Sequence, residues 1–277
     1  MKNVVEVKDV SIKYITGDFK DIGLKDYVIK KLKGDYHVKE FWANKNISFN
    51  LQKGDMLGIV GSNGAGKSTL LTAISGVMEP SVGSIKTDGK IAALLELTAG
   101  FDGDLTAKEN TYLRGSMLGY SEEFMDKMYD SIIEFAELKD FEDRPIKQFS
   151  SGMRSRLAFS IVCLVNPDII IIDEVLAVGD SAFRKKSGQK MREILDSGVT
   201  GIIVSHSSEM LKQLCNKILW LDHGKQICFS ENVKDCLNAY EEFNITRKLP
   251  KNDKEIKMMS DSYTKKIQTL KKQLNKK

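Results

Sequence analysis

The sequence has few residues that could build a disulfide framework or a metal cluster. Its four cysteines are Cys163, Cys215, Cys228 and Cys236, and no two of them form a C-x-x-C pair. None of the three histidines lies at a metal-ligand spacing from these cysteines. We therefore expect free thiols and a reducing compartment.

Long apolar runs are also missing. Strongly apolar stretches such as residues 169–172 are only a few residues long, whereas a membrane-spanning helix needs about 20 apolar residues. Charges interrupt the apolar residues of the N-terminal MKNVVEVK, which is a strand pattern and not a signal peptide. We expect that the chain does not cross a bilayer and that any membrane role needs a separate partner.

The net charge of +4 is distributed unevenly. Residues 246–277 contain eleven Lys or Arg and three Asp or Glu, so the tail is strongly basic and the rest of the chain is acidic. Hydrophobic residues make up 42% and charged residues 29%, which predicts a packed core. A chain of 277 residues can hold one large α/β domain with a small appendage.

Strand and helix patterns alternate along the chain. Strands are predicted at residues 4–12, 47–51, 56–60, 169–172 and 201–204, and a turn at 52–55. Helices are predicted at 70–77, across 106–138 and from the turn at 149–152 to about 165. Within 106–138, Ser121 is a predicted N-cap, and one helical face contains Phe124, Met128, Ile132 and Phe135. The pattern predicts an α/β fold with a largely parallel sheet and helices on both faces, ending near Pro250.

The segment GSNGAGKST follows a predicted buried strand and precedes an apolar helix. Its glycines allow backbone N–H groups to surround phosphate oxygens, beside the positive end of the helix. Lys67 then reaches the β- and γ-phosphates, and the Ser68 hydroxyl ligates Mg²⁺. We predict a nucleotide site made by Gly61, Ser62, Asn63, Gly64, Ala65, Gly66, Lys67, Ser68 and Thr69.

Two carboxylates, Asp173 and Glu174, end a fully apolar predicted strand. Ligands of open α/β sheets bind at the carboxyl ends of strands. Asp173 can hold Mg²⁺ directly or through water, and Glu174 can polarise the attacking water. His206 follows the next apolar strand and could hydrogen-bond the γ-phosphate, although an isolated histidine there is more often structural.

These segments together resemble the nucleotide-binding subunit of an ABC transporter, over about residues 4–243. The resemblance rests on the phosphate loop, a signature segment at 149–153, the strand ending at Asp173, the adjacent Glu174, a D-loop Asp180 and a switch His206. It implies an ABC-type P-loop ATPase core with a mostly parallel sheet, an antiparallel β subdomain and a helical subdomain. The implied ATPase domain covers 1–245, with a helical subdomain at about 97–165, a lysine-rich insert at about 15–42 and a basic tail at 246–277.

The resemblance also implies a head-to-tail dimer that binds ATP and Mg²⁺, with the phosphate loop of one subunit facing the signature segment of the other. The residues implied to act in trans or at the dimer interface are Ser150, Ser151, Gly152, Met153 and Asp180. Tyr14 stands where an adenine-stacking aromatic is often found, and a core tyrosine at a strand end is an equal alternative. The other implied partner is an integral membrane permease, which would keep this subunit at the cytoplasmic face of the bacterial membrane. By analogy with the family, the groove for the permease is expected near residues 96–101 and the adjoining helices.

Two departures from the common family pattern narrow the resemblance. The signature reads FSSGM where most members have LSGGQ, and the segment LLELTAGF contains Glu96 where most have a metal-contacting glutamine. With EFWA, LTAKEN and EVLAVGD, these departures resemble the subfamily that exports lipid-linked bacterial polysaccharides such as O-antigen, capsule and teichoic acid. Some members carry an additional C-terminal glycan-binding domain. This length leaves no room for one, so we expect export without it.

The basic tail has apolar residues at helical spacing, namely Ile256, Met259, Tyr263, Ile267, Leu270 and Leu274. Such a helix could pair with a second subunit, lie on an anionic membrane or contact another protein, and a partly frayed solvated tail is equally compatible. Two rival functions are an ABC ATPase that acts on nucleic acid or ribosomes and a regulatory switch that hydrolyses ATP poorly. The single phosphate loop disfavours the first, so no nucleic acid is expected, and Glu174 with His206 disfavours the second.

Overall fold

The computed structural model describes residues 2–17, 38–94, 98–173 and 179–274. Within these ranges nine strands form one sheet, in the order β4-β1-β2-β9-β8-β3-β7-β6-β5. The strands are β1 (Asn3–Gly17), β2 (Val38–Gln52), β3 (Met56–Val60), β4 (Val82–Thr87), β5 (Ile91–Ala93), β6 (Ile169–Asp173), β7 (Thr200–Val204), β8 (Lys217–Asp222) and β9 (Lys225–Ser230).

The half of the sheet from β8 to β5 is parallel. Successive side chains of a strand point to opposite sides of the sheet, so a continuous apolar strand is apolar on both faces. Ile170 and Ile172 of β6 belong to one hydrophobic core, whereas Ile169 and Ile171 belong to another on the opposite face. Such burial on both faces explains the unbroken isoleucine run and confirms the predicted parallel core.

The other half of the sheet is mainly antiparallel. β1 pairs antiparallel with both β2 and β4, and β8 pairs antiparallel with β9. The predicted turn at 52–55 is confirmed, since the Asp55 N–H donates to the Gln52 carbonyl at 3.0 Å. β1 extends to Gly17 and β2 begins at Val38, so both ends of the predicted 15–42 insert are strands. Residues 18–37 of that insert lie outside the described residues.

The described helices are α1 (Lys67–Ile74), α2 (Ala107–Met117), α3 (Glu122–Ala136), α4 (Ser151–Leu164), α5 (Ser181–Asp196), α6 (Ser208–Leu214), α7 (Val233–Thr246) and α8 (Asp253–Leu274). Residues 106–138 were predicted as one helical stretch, but they form two helices. Gly119 lies between them with a φ of +81°, which ends the first helix. Ser121 is confirmed as the N-cap of α3. The predicted apolar face is confirmed in part: Ile132 is buried, and Phe124, Met128 and Phe135 are half-buried and pack against the hydrophobic cores. The buried residues of α3 that were not predicted are Met125, Tyr129, Ile133 and Ala136.

The folded chain does not end at Pro250, because α8 returns along α7. Ile256 and Ser260 of α8 are buried, whereas Leu270 farther along is 53% exposed. The predicted tail helix therefore exists, and its first half is docked on α7 rather than frayed. None of the described helices combines the length and apolar character that crossing a membrane requires.

Candidate nucleotide site

The predicted phosphate-site residues follow the carboxyl ends of three neighbouring parallel strands. β3 runs into the loop of residues 61–66, β7 ends two residues before His206, and β6 ends with Asp173. β7 lies between β3 and β6, and Val204 of β7 pairs with Asp173. The sheet topology thus brings side chains that are far apart in sequence to one edge, where open α/β sheets bind ligands.

The loop between β3 and α1 requires glycine at two crowded positions. A Cβ on Gly66, whose φ is +94°, would lie 2.4 Å from the Ala43 carbonyl oxygen, and a Cβ on Gly61 would lie 2.3 Å from that of Leu221. At Gly64, by contrast, no described atom lies within 4 Å of such a Cβ. The loop is therefore pressed against β2 and β8 on one side and open on the other.

The first turn of α1 offers hydrogen-bond donors beside this loop. Gly66 is the N-cap residue, and no side chain among the described residues caps the helix. The Lys67 ammonium lies across the loop and donates to the carbonyl oxygens of Gly61 at 2.7 Å and Ser62 at 3.0 Å. Uncapped N–H groups and an ammonium at the positive end of a helix are donors suited to phosphate oxygens. These residues therefore fit a nucleoside triphosphate.

A cavity of about 550 Å³ joins the loop to the other predicted residues. Its wall includes Asn63, Gly64 and residues 66–69 together with Asp173 and His206. Asp173 is half-buried and His206 is exposed. Ser68 and Asp173 contribute oxygen atoms, the ligands that Mg²⁺ prefers, so this wall also fits the metal. Glu174 and Glu96, predicted as general base and as a metal contact, lie outside the described residues.

Two aromatic side chains form the outer part of this cavity. Tyr14 of β1 pairs in register with Phe41 of β2, and the two are 38% and 59% exposed. The alternative of a core tyrosine is therefore wrong. Phe41 was not predicted as a site residue, because its position opposite Tyr14 depends on how the chain returns between 18 and 37. Its presence in the motif EFWA was the available signal.

The predicted signature residues line a different cavity, of about 390 Å³. Ser150 is the N-cap of α4, and its hydroxyl oxygen accepts from the Met153 N–H at 3.1 Å. Ser150 and Ser151 are exposed, and Gly152 is half-buried. None of the residues that line this cavity lines the phosphate cavity. Within one chain the structure therefore does not bring the two predicted halves of the site together.

Asp180 is the N-cap of α5 and lies in the same cavity as the signature residues. Its carboxylate accepts from the N–H groups of Phe183 and Ala182 at 3.0 Å each, and these bonds hold the pKa of the carboxyl below its usual range. Arg156 of α4 lies 3.9 Å from Asp180 and 3.0 Å from Glu137. Arg156, which the sequence did not single out, thus connects the signature helix both to the predicted D-loop aspartate and to Glu137 at the end of α3.

The loop that follows Glu96 faces the signature helix across another cavity of about 380 Å³, lined by Thr98, Phe101, Gly103, Ile146, Ser151, Arg154 and Ser155. Arg114 of α2 donates to the Ala99 carbonyl and lies 5.9 Å from the Phe101 ring, so it holds this loop to the helical subdomain. The predicted permease groove, at residues 96–101 and the adjoining helices, overlaps this cavity.

The profile of the family described as ABC transporter matches residues 44–177. AbcA of Aeromonas salmonicida, an ABC transporter protein, is 44% identical over 194 residues, which is 70% of this chain and 63% of AbcA. The teichoic acids export ATP-binding protein TagH of Bacillus anthracis is 42% identical over 79% of this chain and 39% of TagH. This chain therefore spans less than two thirds of either relative.

A third relative is matched over nearly its whole length. The O-antigen export system ATP-binding protein RfbB of Klebsiella pneumoniae is 39% identical over 227 residues, covering 81% of this chain and 92% of RfbB.

Among solved structures, an ATP binding subunit of an ABC transporter aligns with a TM-score of 0.64 at 20% identity, over 94% of this chain and 99% of that one. An ATP-binding cassette, solved as a post-hydrolysis dimer bound to ADP and Pi, aligns with a TM-score of 0.60 at 23% identity, over 82% and 97%. The fold is thus the ABC ATPase fold. By its similarity to RfbB over most of both chains, this protein belongs to the ABC transporter family, and it is similar to proteins named as O-antigen and teichoic acid export ATP-binding proteins.

Proposed function

We propose that this chain hydrolyses ATP to power the export of a lipid-linked polysaccharide through a separate membrane permease. The observation that carries ATP hydrolysis is the cavity in which Lys67, Ser68, Asp173 and His206 meet at adjacent strand ends. The export step is supported by the similarity to proteins named for O-antigen and teichoic acid export.

Each side chain of the cavity has a distinct proposed role. The N–H groups of residues 64–69 and the Lys67 ammonium bind the phosphates, and Tyr14 with Phe41 stacks on the base. Bound Mg²⁺ neutralises phosphate charge, and Ser68 and Asp173 supply oxygen ligands for it. Glu174 orients and polarises the attacking water, and His206 holds the γ-phosphate end of the substrate.

The second half of the site comes from another copy of the chain. The signature cavity around Ser150, Gly152 and Asp180 shares no lining residue with the phosphate cavity. A two-fold dimer that faces one cavity with the other completes two ATP sites and positions Asp180 at the interface. The similarity to an ATP-binding cassette solved as a dimer supports this arrangement.

The permease contact is proposed at the cavity between residues 98–103 and the start of α4. This cavity is close to the signature helix, because Ser151 and Ser155 line both. A permease segment seated there would respond directly when the signature helix moves toward ATP. Glu96, on the same loop, is the proposed metal contact in place of a glutamine. The chain would then be held at the cytoplasmic face of the membrane through its partner.

Replacing Glu174 with Gln tests the hydrolytic role. Gln keeps the shape of the side chain but is a poor base, so we expect ATP turnover to fall by at least about 100-fold while ATP binding is unchanged. Turnover and nucleotide affinity are measured on the same preparation. Near-normal hydrolysis by this variant would remove Glu174 from the mechanism.

The export role is tested in membranes. The tagged protein should co-purify from detergent extracts with a polytopic membrane protein, and cells that carry only Lys67→Ala should lose a surface polymer. Loss of membrane association together with salt-sensitive binding to RNA or DNA would instead favour the nucleic-acid rival. Tight ATP binding by a wild type that turns over no faster than Glu174→Gln would favour the regulatory switch.

A further inference from the structure

The segment that carries His206 is fixed by hydrogen bonds of the serines around it. The Ser207 N–H donates to the hydroxyl oxygen of buried Ser205 at 3.0 Å. The Ser207 hydroxyl oxygen in turn accepts from the Met210 N–H at 3.3 Å and caps α6. These bonds are local and set the shape of the segment, but they do not anchor it to another part of the fold. We call residues 205–208 the switch segment.

One bond connects the switch segment to a distant helix. The Ser208 hydroxyl donates to the carboxylate of Glu241 on α7, which is 33 residues away in sequence. Both side chains are half-buried. A hydroxyl bound to a carboxylate is a short, charge-assisted hydrogen bond, roughly twice as strong as a neutral one.

α7 is well placed to act as a rigid support. Tyr240 and Phe243 pack their rings 5.5 Å and 5.4 Å from buried Trp220 of β8, the strand next to β3. Burial also raises the pKa of Tyr240, the residue before Glu241. Residues of α7 close to Glu241 are thus packed against the sheet.

The opposite side of α7 is held by α8 through polar contacts. The Asn238 amide donates to Ser260 and Thr264, and Lys266 pairs with the buried Glu242 carboxylate at 2.6 Å. Burial raises the pKa of Tyr263 of α8, and the charge of Glu241 adds to this effect. α7, which carries Glu241, therefore lies between the docked tail helix and the switch segment.

We infer that Glu241 is a positioning residue for the switch histidine, and that α7 and α8 together hold His206 at the phosphate cavity through the Glu241–Ser208 bond. This inference rests on the proposed ATP hydrolysis. Without the bond the switch segment keeps its local caps but loses a constraint on its distance from the phosphate cavity. His206 would then sample positions too far from the substrate, and hydrolysis would slow while nucleotide binding is retained.

The test compares Glu241→Ala, Glu241→Gln and Ser208→Ala with a matched control, Glu209→Gln. Glu209 lies one residue from Ser208, is exposed, and has no side-chain contact among the described residues. We expect Glu241→Ala and Ser208→Ala each to lower kcat by about tenfold with KM for ATP unchanged. Glu241→Gln keeps an acceptor oxygen and should recover most of kcat, and the control should match the wild type.

The double variant Ser208→Ala/Glu241→Ala separates this bond from independent effects. If the two side chains act through one bond, the double variant should be no slower than either single variant. Additive losses, an unchanged kcat for Glu241→Ala, or a loss that appears only in KM would overturn the inference.

Hydrogen exchange of residues 205–210 supplies a readout that does not need turnover. Both alanine variants should raise exchange there by a similar factor, and the control should not. Unchanged exchange in both alanine variants would overturn the inference even in an active enzyme. Absence of turnover in the wild type would instead count against the proposed hydrolysis.

Discussion

Two helix N-termini in this molecule are proposed to face the same phosphates, and they differ in how their first turns are satisfied. α1 begins after Gly66, and no described side chain caps it. α4 begins after Ser150, whose hydroxyl already accepts from the Met153 N–H. An uncapped first turn has donors free for a ligand, whereas a capped one is stable without it. The comparison suggests that α1 binds the nucleotide within one chain and that α4 is a preformed surface awaiting a second copy.

The largest expected effect comes from placing a charge at α4. Gly152→Asp sets a carboxylate where phosphates should arrive from the second subunit, and juxtaposed like charges cost several kcal/mol. We expect ATP hydrolysis to fall by at least about 100-fold while binding of ATP by the single chain changes little. Turnover and equilibrium nucleotide binding are measured side by side. Loss of binding in proportion to turnover would erase the distinction between the two helices.

A substitution at α1 should have the opposite profile. Lys67→Ala removes an ammonium that bonds the phosphates, and a hydrogen bond to a charged group is worth about 1.5–3 kcal/mol. We therefore expect ATP affinity itself to fall by about 10- to 100-fold, and hydrolysis to be lost with it. Fluorescent-nucleotide titration measures the affinity. Thermal melting provides the folding control, and an affinity within twofold of the wild type would contradict the assignment of Lys67.

Mixing the two inactive variants tests whether the two cavities meet between chains. A mixed dimer holds one intact site, made by the phosphate loop of the Gly152→Asp chain and the signature of the Lys67→Ala chain. Equal amounts should recover up to about a quarter of wild-type turnover if subunits exchange freely. Recovery that depends on protein concentration would support the proposal that two chains associate to form the site. No recovery at any ratio would argue that each chain completes its own site.

A smaller effect is expected far from both helices, at the contact of α7 with α8. Lys266→Ala leaves the buried Glu242 carboxylate without its ion-pair partner, which costs about 1–3 kcal/mol. We expect hydrogen exchange across α8 to rise by about tenfold or more. Lys265→Ala is the matched control, since this neighbouring lysine is exposed and makes no ion pair among the described residues. Equal exchange in both variants would show that the pair does not hold the tail.

Much of the nucleotide cavity could be predicted from sequence because its motifs are local. The loop of residues 61–69 needs glycines, a lysine and a serine at fixed spacing, and β3 was predicted with its observed bounds. Predictions failed where burial depends on neighbours. On α3, the buried Met125 and Tyr129 were not included in the predicted face, and the tail was not expected to dock.

The docking of α8 illustrates why the tail was hard to predict. The α7 residues that hold it include Asp235, Asn238 and Glu242, and these polar side chains look solvent-exposed in sequence. They are largely buried, and lysine and hydroxyl groups of α8 bond to each of them. A polar residue can therefore mark an interface as well as a surface, and only the partner decides which.

The sequence by itself determined the chemistry that the site can offer. It contains a glycine loop suited to phosphates, an aspartate after an apolar strand and a signature turn, and each of these motifs is complete within a few neighbouring residues. Tertiary structure alone decided which of these groups share a cavity. The sheet order brings Asp173 and His206 to Lys67, and the strand register adds Phe41 opposite Tyr14. The tertiary structure also keeps the signature residues in a separate cavity and places Ser208 next to Glu241. These relations depend on long-range packing, which local spacing does not encode.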